Sequence, residues 1–442
     1  MLRNYSPYTL IILSFIGLIF IGAVLLMMPF SHIEGSSFSF FEALFTATSA
    51  VTVTGLSVTD IHHTLSPTGE IIILLLIQFV GLGILTFSSV IMLLIAKKIG
   101  FYTKRIVAEG LNHEAKIDLY SHIKKVVVVV LTFEAIGSLL LFCAFIREYS
   151  IGKALFYAIF HSVSSFCNAG ISLYPNSLQG YTSDIFMNSI IAFLIIFGGL
   201  GFTAIIELYE FALGKRQKIS VNSRFSMLIT GILLLSGTLL FFGLEYNRAG
   251  TLSSMPVTEK LLVSFFHSTS LRTAGFSTIP IANISAATVL LCISFMFIGA
   301  SPNSTGSGVK TTTFGILYLG VKASLLNRRY IEFSRRRISW QLFNRASALV
   351  FIAFLYILTI TLLMCCFEPN MDFIKILFEV MSAFSTSGLS MGITDSLSRP
   401  SQVILLLTMF LGRVGPLTIA LALSRDRRKG NYKYPKENIL IG

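Results

Sequence analysis

Eight apolar segments of this chain reach the ~20 residues that a helix needs to cross a bilayer. They lie roughly at residues 8–30, 71–96, 125–146, 186–213, 225–244, 285–326, 346–367 and 402–424. No soluble core can absorb that many long apolar runs, so this feature alone excludes most folds. Composition agrees: 54% of the residues are hydrophobic and 12% charged, where soluble domains carry about 25% charged residues. The chain therefore reads as an all-α integral membrane protein. Its first apolar run is too long for a signal-peptide core and has no small-residue cleavage site after it, so it reads as the first span. Cys143, Cys167, Cys292, Cys365 and Cys366 are odd in number and lie mostly in apolar stretches without metal spacing, which argues against a disulfide framework.

The net charge of +13 would suit nucleic acid if it were clustered on a soluble face, but its distribution follows the spans. With the N-terminus inside, the inner segments are 1–7, 97–125, 214–224, 322–345 and 425–442, and they hold 25 of the 34 Lys and Arg residues. The outer connections hold 7, and Lys310 and Arg413 fall within apolar segments. This bias orients the chain with both termini cytoplasmic. The run "RRYIEFSRRR" then serves topology and anionic lipid, with docking of a cytosolic partner as the second reading.

Each outer connection contains a shorter apolar stretch: "SFSFFEALFTATSAVTVTG", "KALFYAIFHSVSSFCNAG", "EKLLVSFFHSTSLRTAG" and "FIKILFEVMSAFSTSG". Such runs are too short to span and read as re-entrant half-helices. Each ends in small polar residues and a glycine, at 55, 170, 275 and 388. A second landmark follows in "QFVGLG", "IFGGLG", "MFIGAS" and "MFLGRV", with the shared glycine placed at 81, 199, 299 and 412, offset from the first by 26, 29, 24 and 24 residues. An ordinary turn accounts for one Gly-Thr loop, but not for four at matched positions. The unit of span, half-helix, Gly loop and span thus occurs four times in parallel orientation, which predicts a pseudo-fourfold axis along the membrane normal. The expected pore repeats are 1–105, 106–220, 221–330 and 331–442, the last including a cytoplasmic tail.

Non-helical backbone survives in a membrane only when it is buried in protein or lines a water-filled cavity. Four such loops on one axis make a ring of carbonyls able to replace the water shell of a cation. Glycine accepts φ > 0 and lets the carbonyls turn inward, and half-helices entering from outside bring their partly negative C-terminal ends to the centre. The candidate filter residues are Thr52, Val53, Thr54 and Gly55 in the first loop, and Asn168, Ala169 and Gly170 in the second. The third loop supplies Thr273, Ala274 and Gly275, and the fourth Thr386, Ser387 and Gly388.

Through "TSAVTVTGLSVTD", "SSFCNAGISLYP", "LRTAGFST" and "SAFSTSGLSMG" the whole chain resembles the Trk/Ktr/HKT superfamily of potassium transporters, and most closely the bacterial Ktr membrane, ion-translocating subunits. The resemblance implies potassium uptake, with potassium held at the filter loops and sodium admitted as a coupling ion. It also implies a homodimer of four-repeat chains and a separate cytosolic ring of nucleotide-binding regulatory subunits of the RCK/KTN type. The loops lack the TVGYG of dedicated potassium channels, which leaves room for weaker selectivity. Some members of the family put Ser in the first loop, a change linked to sodium permeation; here all four loops keep Gly.

The third repeat's second span is interrupted by "GASPNSTGSGVKTTT", residues 299–313, which cannot continue as a lipid-facing helix. It is not a phosphate loop, because Val309 separates Gly308 from Lys310 and no strand precedes it. Its place after Gly299 sets it beneath the filter, and the resemblance implies that it gates. The gate candidates are Gly299, Ser301, Asn303, Thr305, Gly306, Gly308 and Lys310, with Arg413 of the fourth repeat as a costly membrane cation bordering the same cavity. Lys310 would put a mobile positive charge in the ion's path, and Arg413 would form an electrostatic barrier or anchor the loop. Glu134 reads as a structural hydrogen-bonding group and Arg272 as a brace behind the third loop. His161 and His267 read as hydrogen-bonding groups around the filter, and His62 and His63 beside Asp60 as an outer loop rather than a metal triplet.

A pore for sodium or ammonium is the nearest alternative. A secondary solute carrier would predict inverted repeats, and an intramembrane enzyme would need one active site, for which fourfold repetition has no use. No catalytic Ser/His/Asp grouping or HExxH recurs, so the chain is not expected to be an enzyme, nor to carry a cofactor. Almost every residue is spent on spans and connections, so a regulatory nucleotide would have to be bound by a partner docked on the basic inner loops or the tail "RDRRKGNYKYPKENILIG".

Overall fold

A computed structural model describes residues 7–33, 35, 38–81 and 119–415 of the 442. The expected spans 71–96 and 402–424 are described only as far as Gly81 and Gly415; residues 97–118 of the inner segment 97–125 and the whole inner segment 425–442 lie outside the described residues.

The chain begins with α1 (Pro7–Met27), α2 (Phe40–Thr52), the single turn α3 (Ile61–Thr64) and α4 (Pro67–Gly81). It continues with α5 (Leu119–Phe145), α6 (Ile151–Phe166), α7 (Ile185–Leu200) and α8 (Phe202–Ala212). Next come α9 (Val221–Glu245), α10 (Val257–Ser270), α11 (Ala286–Phe297) and α12 (Thr311–Leu325). A hairpin of β1 (Ile331–Phe333) and β2 (Arg336–Ile338) leads into α13 (Trp340–Phe367), α14 (Phe373–Ser385) and α15 (Arg399–Val414). Among the described residues α5, α9 and α13 are each long and apolar enough to cross a membrane, and the bent pair α7–α8 makes a fourth if counted as one span. Their outward faces expose large apolar side chains, such as Leu139 at 66%, Leu235 at 65% and Phe351 at 62%. A lipid environment makes that exposure favourable, and water would not.

The four short helices α2, α6, α10 and α14 have 13, 16, 14 and 13 residues. At 1.5 Å per residue they fall short of a ~30 Å hydrocarbon core. Their C-terminal turns are buried: Ala50, Val51 and Thr52 of α2 are fully buried, and so are Ser162, Ser164 and Ser165 of α6. Hydroxyl-rich helices tolerate this because the side chains bond back to the preceding turn. Thr48 and Thr52 each donate at 2.7 Å to the carbonyl four residues earlier, and Ser385 does so to Met381 at 2.8 Å. Ser39 and Glu42 close a capping box at the start of α2.

Two apolar cores flank these helices, one running from α1 to α8 and the other mainly from α9 to α15. Carboxylates at the C-terminal ends of α9 and α13, fully buried at Glu245 and half-buried at Glu368, tie the long helices to their neighbours. Glu245, at the end of α9, accepts from Ser285 N at 2.8 Å and from Thr251 Oγ1 at 2.7 Å. Glu368, after α13, accepts from Ser398 N at 2.7 Å.

Two expectations need correction. The segment 186–213 is not one straight span: α7 and α8 meet at 102°. The break lies at Gly201, whose φ is +98°, and a Cβ built there would lie 2.5 Å from the carbonyl oxygen of Pro302. The amide freed at the break is satisfied from outside its own helix, since Phe202 N donates to Asn303 O at 2.8 Å. The interruption in the third repeat is also shorter than 299–313, because Thr311, Thr312 and Thr313 already belong to α12. Lys310 takes the extended N-cap position there, φ −62° and ψ 142°.

Candidate functional site

The four loop glycines meet. A Cβ built on Gly55 would lie 2.6 Å from Ala169 O, and one on Gly170 would lie 2.6 Å from Ala274 O. One on Gly275 would lie 2.4 Å from Ser387 O, and one on Gly388 only 1.9 Å from Thr54 O. Each glycine thus abuts the residue before the next glycine, and the fourth returns to the first, so the contacts close a ring. The backbone repeats as well. The glycines have φ of +95°, +67°, +80° and +80°, and the residue two before each is also left-handed: Val53 at 56°, Asn168 at 59°, Thr273 at 68° and Thr386 at 51°. For non-glycine residues that conformation costs about 1–3 kcal/mol each, and surrounding hydrogen bonds hold it. Thr54 N donates to Ser49 O at 2.8 Å, Ala169 N to Ser164 O at 2.7 Å, Ala274 N to Ser270 O at 3.0 Å and Ser387 N to Ser382 O at 2.8 Å.

Side chains of the short helices hold the segment rising from the ring. Ser164 Oγ donates to Ile171 O at 2.7 Å, and Ser270 Oγ to Phe276 O at 2.5 Å. His161 Nε2 lies 3.2 Å from Ser172 Oγ, and His267 Nε2 lies 3.3 Å from Thr278 Oγ1. Glu379, fully buried, does the same for the fourth loop: it accepts from Ser390 Oγ at 2.5 Å, Met391 N at 3.1 Å and Thr394 Oγ1 at 3.0 Å. Sequence reasoning passed over Glu379. The signal was its place, nine residues before Gly388 as His161 is nine before Gly170. Arg272 points away from the ring, donating to Thr230 Oγ1 of α9 at 3.3 Å, which is the bracing position expected of it. Glu134 accepts from Gln78 Nε2 at 3.0 Å and lies 3.6 Å from Cys167 Sγ, behind the second loop.

Above the ring lies a cavity of about 650 Å³ lined by all four glycines, and Asp60 and Asp395 stand on its wall. Asp60 caps α3, accepting from His62 N at 3.0 Å, and His63 lies 3.8 Å from its other oxygen. Asp60 and Asp395 are the carboxylates among the residues that line this cavity.

Beneath the ring lies the intramembrane loop. A Cβ on Gly306 would fall 2.2 Å from Thr273 Oγ1 and 3.3 Å from Asn168 Nδ2, so only glycine brings the loop this close to the second and third ring loops. Gly299 and Gly308 pinch its neck, where Ile298 bridges Val309. Inside, Ser301 Oγ lies 3.0 Å from Thr311 Oγ1, and Asn303 Nδ2 donates to Thr203 Oγ1 at 3.4 Å. Ser301 N and Thr305 N donate to Gly199 O and Gly198 O at 3.0 and 3.2 Å, which pins the loop to the broken end of α7. Lys310 is not a free mobile charge, since its ammonium donates to Gly306 O at 2.7 Å. Arg413, 2% exposed, donates through Nη1 to Thr305 O and to Ser307 Oγ at 3.3 Å, and through Nη2 to Val80 O at 3.2 Å. It joins α15, the loop and the end of α4 with no carboxylate partner among the described residues. Asn168, Thr273, Thr386, Ser387 and Thr305 all keep buried side-chain polar atoms without a protein partner around this space.

Thr52 ends α2, and its hydroxyl bonds Thr48 O and Thr54 Oγ1, both at 2.7 Å. The second landmark shifts by one residue in the second repeat. A Cβ on Gly198 would lie 1.9 Å from Phe166 O and one on Gly412 would lie 2.0 Å from Phe384 O, each the fourth residue before its ring glycine, whereas Gly199 has nothing closer than 3.4 Å. Adjacent glycines in "FGGLG" concealed which of the two packs.

The family model described as "TrkH: Cation transport protein" matches residues 2–432. The chain is 34% identical to the Ktr system potassium uptake protein B of Vibrio alginolyticus, over 98% of this chain and 94% of that protein. It is 35% identical to the protein of the same name from Bacillus subtilis, over 99% and 97%. It is 36% identical to the potassium/sodium uptake protein NtpJ of Enterococcus hirae, over 100% and 98%. The crystal structure of the potassium transporter TrkH from Vibrio parahaemolyticus superposes with a TM-score of 0.75 at 19% identity, covering 96% of this chain and 86% of that one.

Proposed function

Because the chain belongs to the TrkH family of cation transport proteins, we propose that it takes up potassium through the ring of four loops, with the intramembrane loop as its gate. It is a transporter, not an enzyme. The observation that carries the reading is the closed set of contacts from Gly55 through Gly170 and Gly275 to Gly388 and back to Thr54. A cation leaves water only where a closed set of oxygens replaces its shell, and four unrelated turns have no reason to abut in cyclic order. The carbonyls of Val53 and Thr54, Asn168 and Ala169, Thr273 and Ala274, and Thr386 and Ser387 would be the ligands. The glycines provide the close approach. The short helices add their negative C-terminal ends, and Asp60 and Asp395 raise the local cation concentration at the mouth.

The gate consists of residues 299–310, with Gly306 in the ion's path and Arg413 as the tie that holds the loop. Opening must break the donations from Arg413 to Thr305 O and Ser307 Oγ, which makes the loop a discrete two-state element rather than a soft one. The pore repeats are 1–105, 106–220, 221–330 and 331–442, arranged about a pseudo-fourfold axis, in a bacterial cytoplasmic membrane with both termini inside. The chain works as a homodimer on a cytosolic nucleotide-binding ring of the RCK/KTN type, which moves the loop. It holds no cofactor of its own. Sodium as a coupling or second transported ion is the next reading, favoured by the similarity to the potassium/sodium uptake protein of Enterococcus.

The test is potassium uptake in bacteria lacking their own uptake systems, comparing wild type with Gly275→Asp, both checked for insertion and the wild type also tested with a candidate regulatory subunit. Rescue by wild type and its loss in the variant is the expected result. The proposal is falsified if Gly275→Asp rescues as well as wild type.

A further inference from the structure

We propose that the hairpin between α12 and α13 binds the headgroups of anionic phospholipids, so that lipid occupancy loads the helix that carries the intramembrane loop. The strands pair antiparallel, Ile331 with Ile338, Glu332 with Arg337 and Phe333 with Arg336. The turn residues Ser334 and Arg335 have φ of 49° and 59°, the pair of left-handed residues that a tight two-residue hairpin uses. The hairpin is anchored at its base. Ile331 is fully buried, the ring of Phe333 lies 4.5 Å from that of Phe225 near the start of α9, and Trp340 Nε1 donates to Arg329 O at 3.2 Å.

Arg328, Arg329, Arg335, Arg336 and Arg337 are all exposed on and beside this element, against the single carboxylate of Glu332. The Arg337 guanidinium lies 3.9 Å over the ring of Tyr330, which limits its rotamers. Planar guanidinium forks match phosphate bidentately where ammonium groups act only as point charges.

The neighbouring surface selects a lipid as occupant. Tyr318, Val321 and Leu325 of α12 are 61%, 50% and 79% exposed. Their spacing puts them on one face of the helix, a stripe that runs directly into the arginines. A lipid covers both parts, its acyl chain on the stripe and its phosphate on the forks; a soluble acidic protein would leave the stripe bare. Tyr and Trp beside basic residues suit the headgroup level.

α12 makes the link to the gate. It starts at Thr311, whose amide donates to Ala300 O at 3.2 Å and whose hydroxyl lies 3.0 Å from Ser301 Oγ. A rigid 15-residue helix therefore connects hairpin and loop over about 22 Å. The binding claim stands on the hairpin itself; the effect on transport rests on the proposed function.

Trp340 is the chain's one tryptophan and reports on the site without any substitution. In vesicles, brominated phosphatidylglycerol should quench its fluorescence more strongly than brominated phosphatidylcholine at equal content. The triple variant R335Q/R336Q/R337Q should abolish that preference, while K215Q/K218Q, on another basic connection, should keep it. Each basic residue near an anionic surface contributes about fivefold in affinity, so three give on the order of 100-fold. Equal quenching of wild type by the two lipids overturns the inference and leaves the hairpin to a soluble acidic partner. If the preference holds but rubidium flux in the same vesicles does not depend on phosphatidylglycerol, the site stands and its link to the gate fails.

Discussion

Replacing the four ring glycines by alanine, one at a time, separates a closed ring from four independent turns. At every position the alanine must adopt φ between +67° and +95°, which costs about 1–3 kcal/mol. That cost is common to all four. The contact is not. Real Cβ atoms do not approach oxygen closer than about 3.0 Å, so the Cβ of Gly388→Ala, 1.9 Å from Thr54 O, displaces that carbonyl by more than about 1 Å. Gly275→Ala needs about 0.6 Å at Ser387 O, and Gly55→Ala and Gly170→Ala need about 0.4 Å at Ala169 O and Ala274 O. A carbonyl moved 1 Å is no longer a ligand at the same site, whereas a shift of 0.4 Å is within reach of local relaxation. Strain of about 1–3 kcal/mol, if it depopulates the ring conformation, lowers flux by roughly fivefold to 150-fold. Loss in Gly388→Ala should exceed that range because a ligand is displaced as well. The assay is rubidium and sodium flux into vesicles holding equal amounts of monodisperse variant. The expected order of loss is Gly388, then Gly275, then Gly55 and Gly170 together, with discrimination against sodium falling in the same order. Near-normal flux in Gly388→Ala, or equal losses in all four, would refute the ring and leave only a common backbone penalty.

Four further outcomes follow from particular contacts. Gly198→Ala should destabilise the protein by about 1–3 kcal/mol, the usual range for overpacking, because its Cβ meets Phe166 O at 1.9 Å, while Gly199→Ala should leave thermal stability in detergent unchanged. Arg413→Ala leaves Thr305 O, Ser307 Oγ and Val80 O without their donor, so basal uptake should rise several-fold and respond less to a regulatory subunit; unchanged uptake and regulation would exclude the tie. Glu379→Gln replaces a carboxylate that accepts three bonds, and hydrogen bonds to a charged group are worth about 1.5–3 kcal/mol each, so selectivity should weaken before insertion fails, as read by the rubidium-to-sodium flux ratio. Single cysteines at Asp60 and Arg335 should be labelled by an impermeant thiol reagent from opposite sides of oriented membranes, Asp60 from outside; labelling of both from one side would overturn the topology.

Much of the fold was legible because a bilayer enforces simple rules. Helices must be about 20 apolar residues long, and irregular backbone must be sheltered, so the long runs and the four Gly loops were visible as such. The ring glycines were legible because both their backbone role and their spacing recur. What escaped depended on neighbours distant in sequence. The bend at Gly201 arises because Asn303, about 100 residues later, supplies a carbonyl to Phe202, and nothing within "FGGLGF" announces that. The hairpin escaped for a different reason: strands of three residues carry almost no periodicity, and the arginines masked the alternation of Ile331 and Phe333.

The register of the second landmark explains why a single chain suits this device. Gly198 and Gly412 pack alike, and three residues on from each stands a positive-φ glycine, Gly201 at +98° and Gly415 at +88°. Arg413 therefore occupies the place of Gly199 in the second repeat and, counting from Gly299, of Ala300 in the third. In an assembly of four identical subunits an arginine here would recur four times around the axis, and four buried cations beneath a cation filter would repel both one another and the ion. If four unequal repeats surround one axis as proposed, a single chain allows one arginine, facing the loop of the third repeat, with leucine, glycine and alanine at Leu82, Gly199 and Ala300 where its counterparts would be. The same freedom puts Val53 among Asn168, Thr273 and Thr386 at the left-handed position two before each glycine, so three of those four positions are polar and one is not. A closed ring needs near-identity only at the glycines and the residues that set their φ. Everything beneath it is free to differ, and the tie between Arg413 and the loop has its place in that difference.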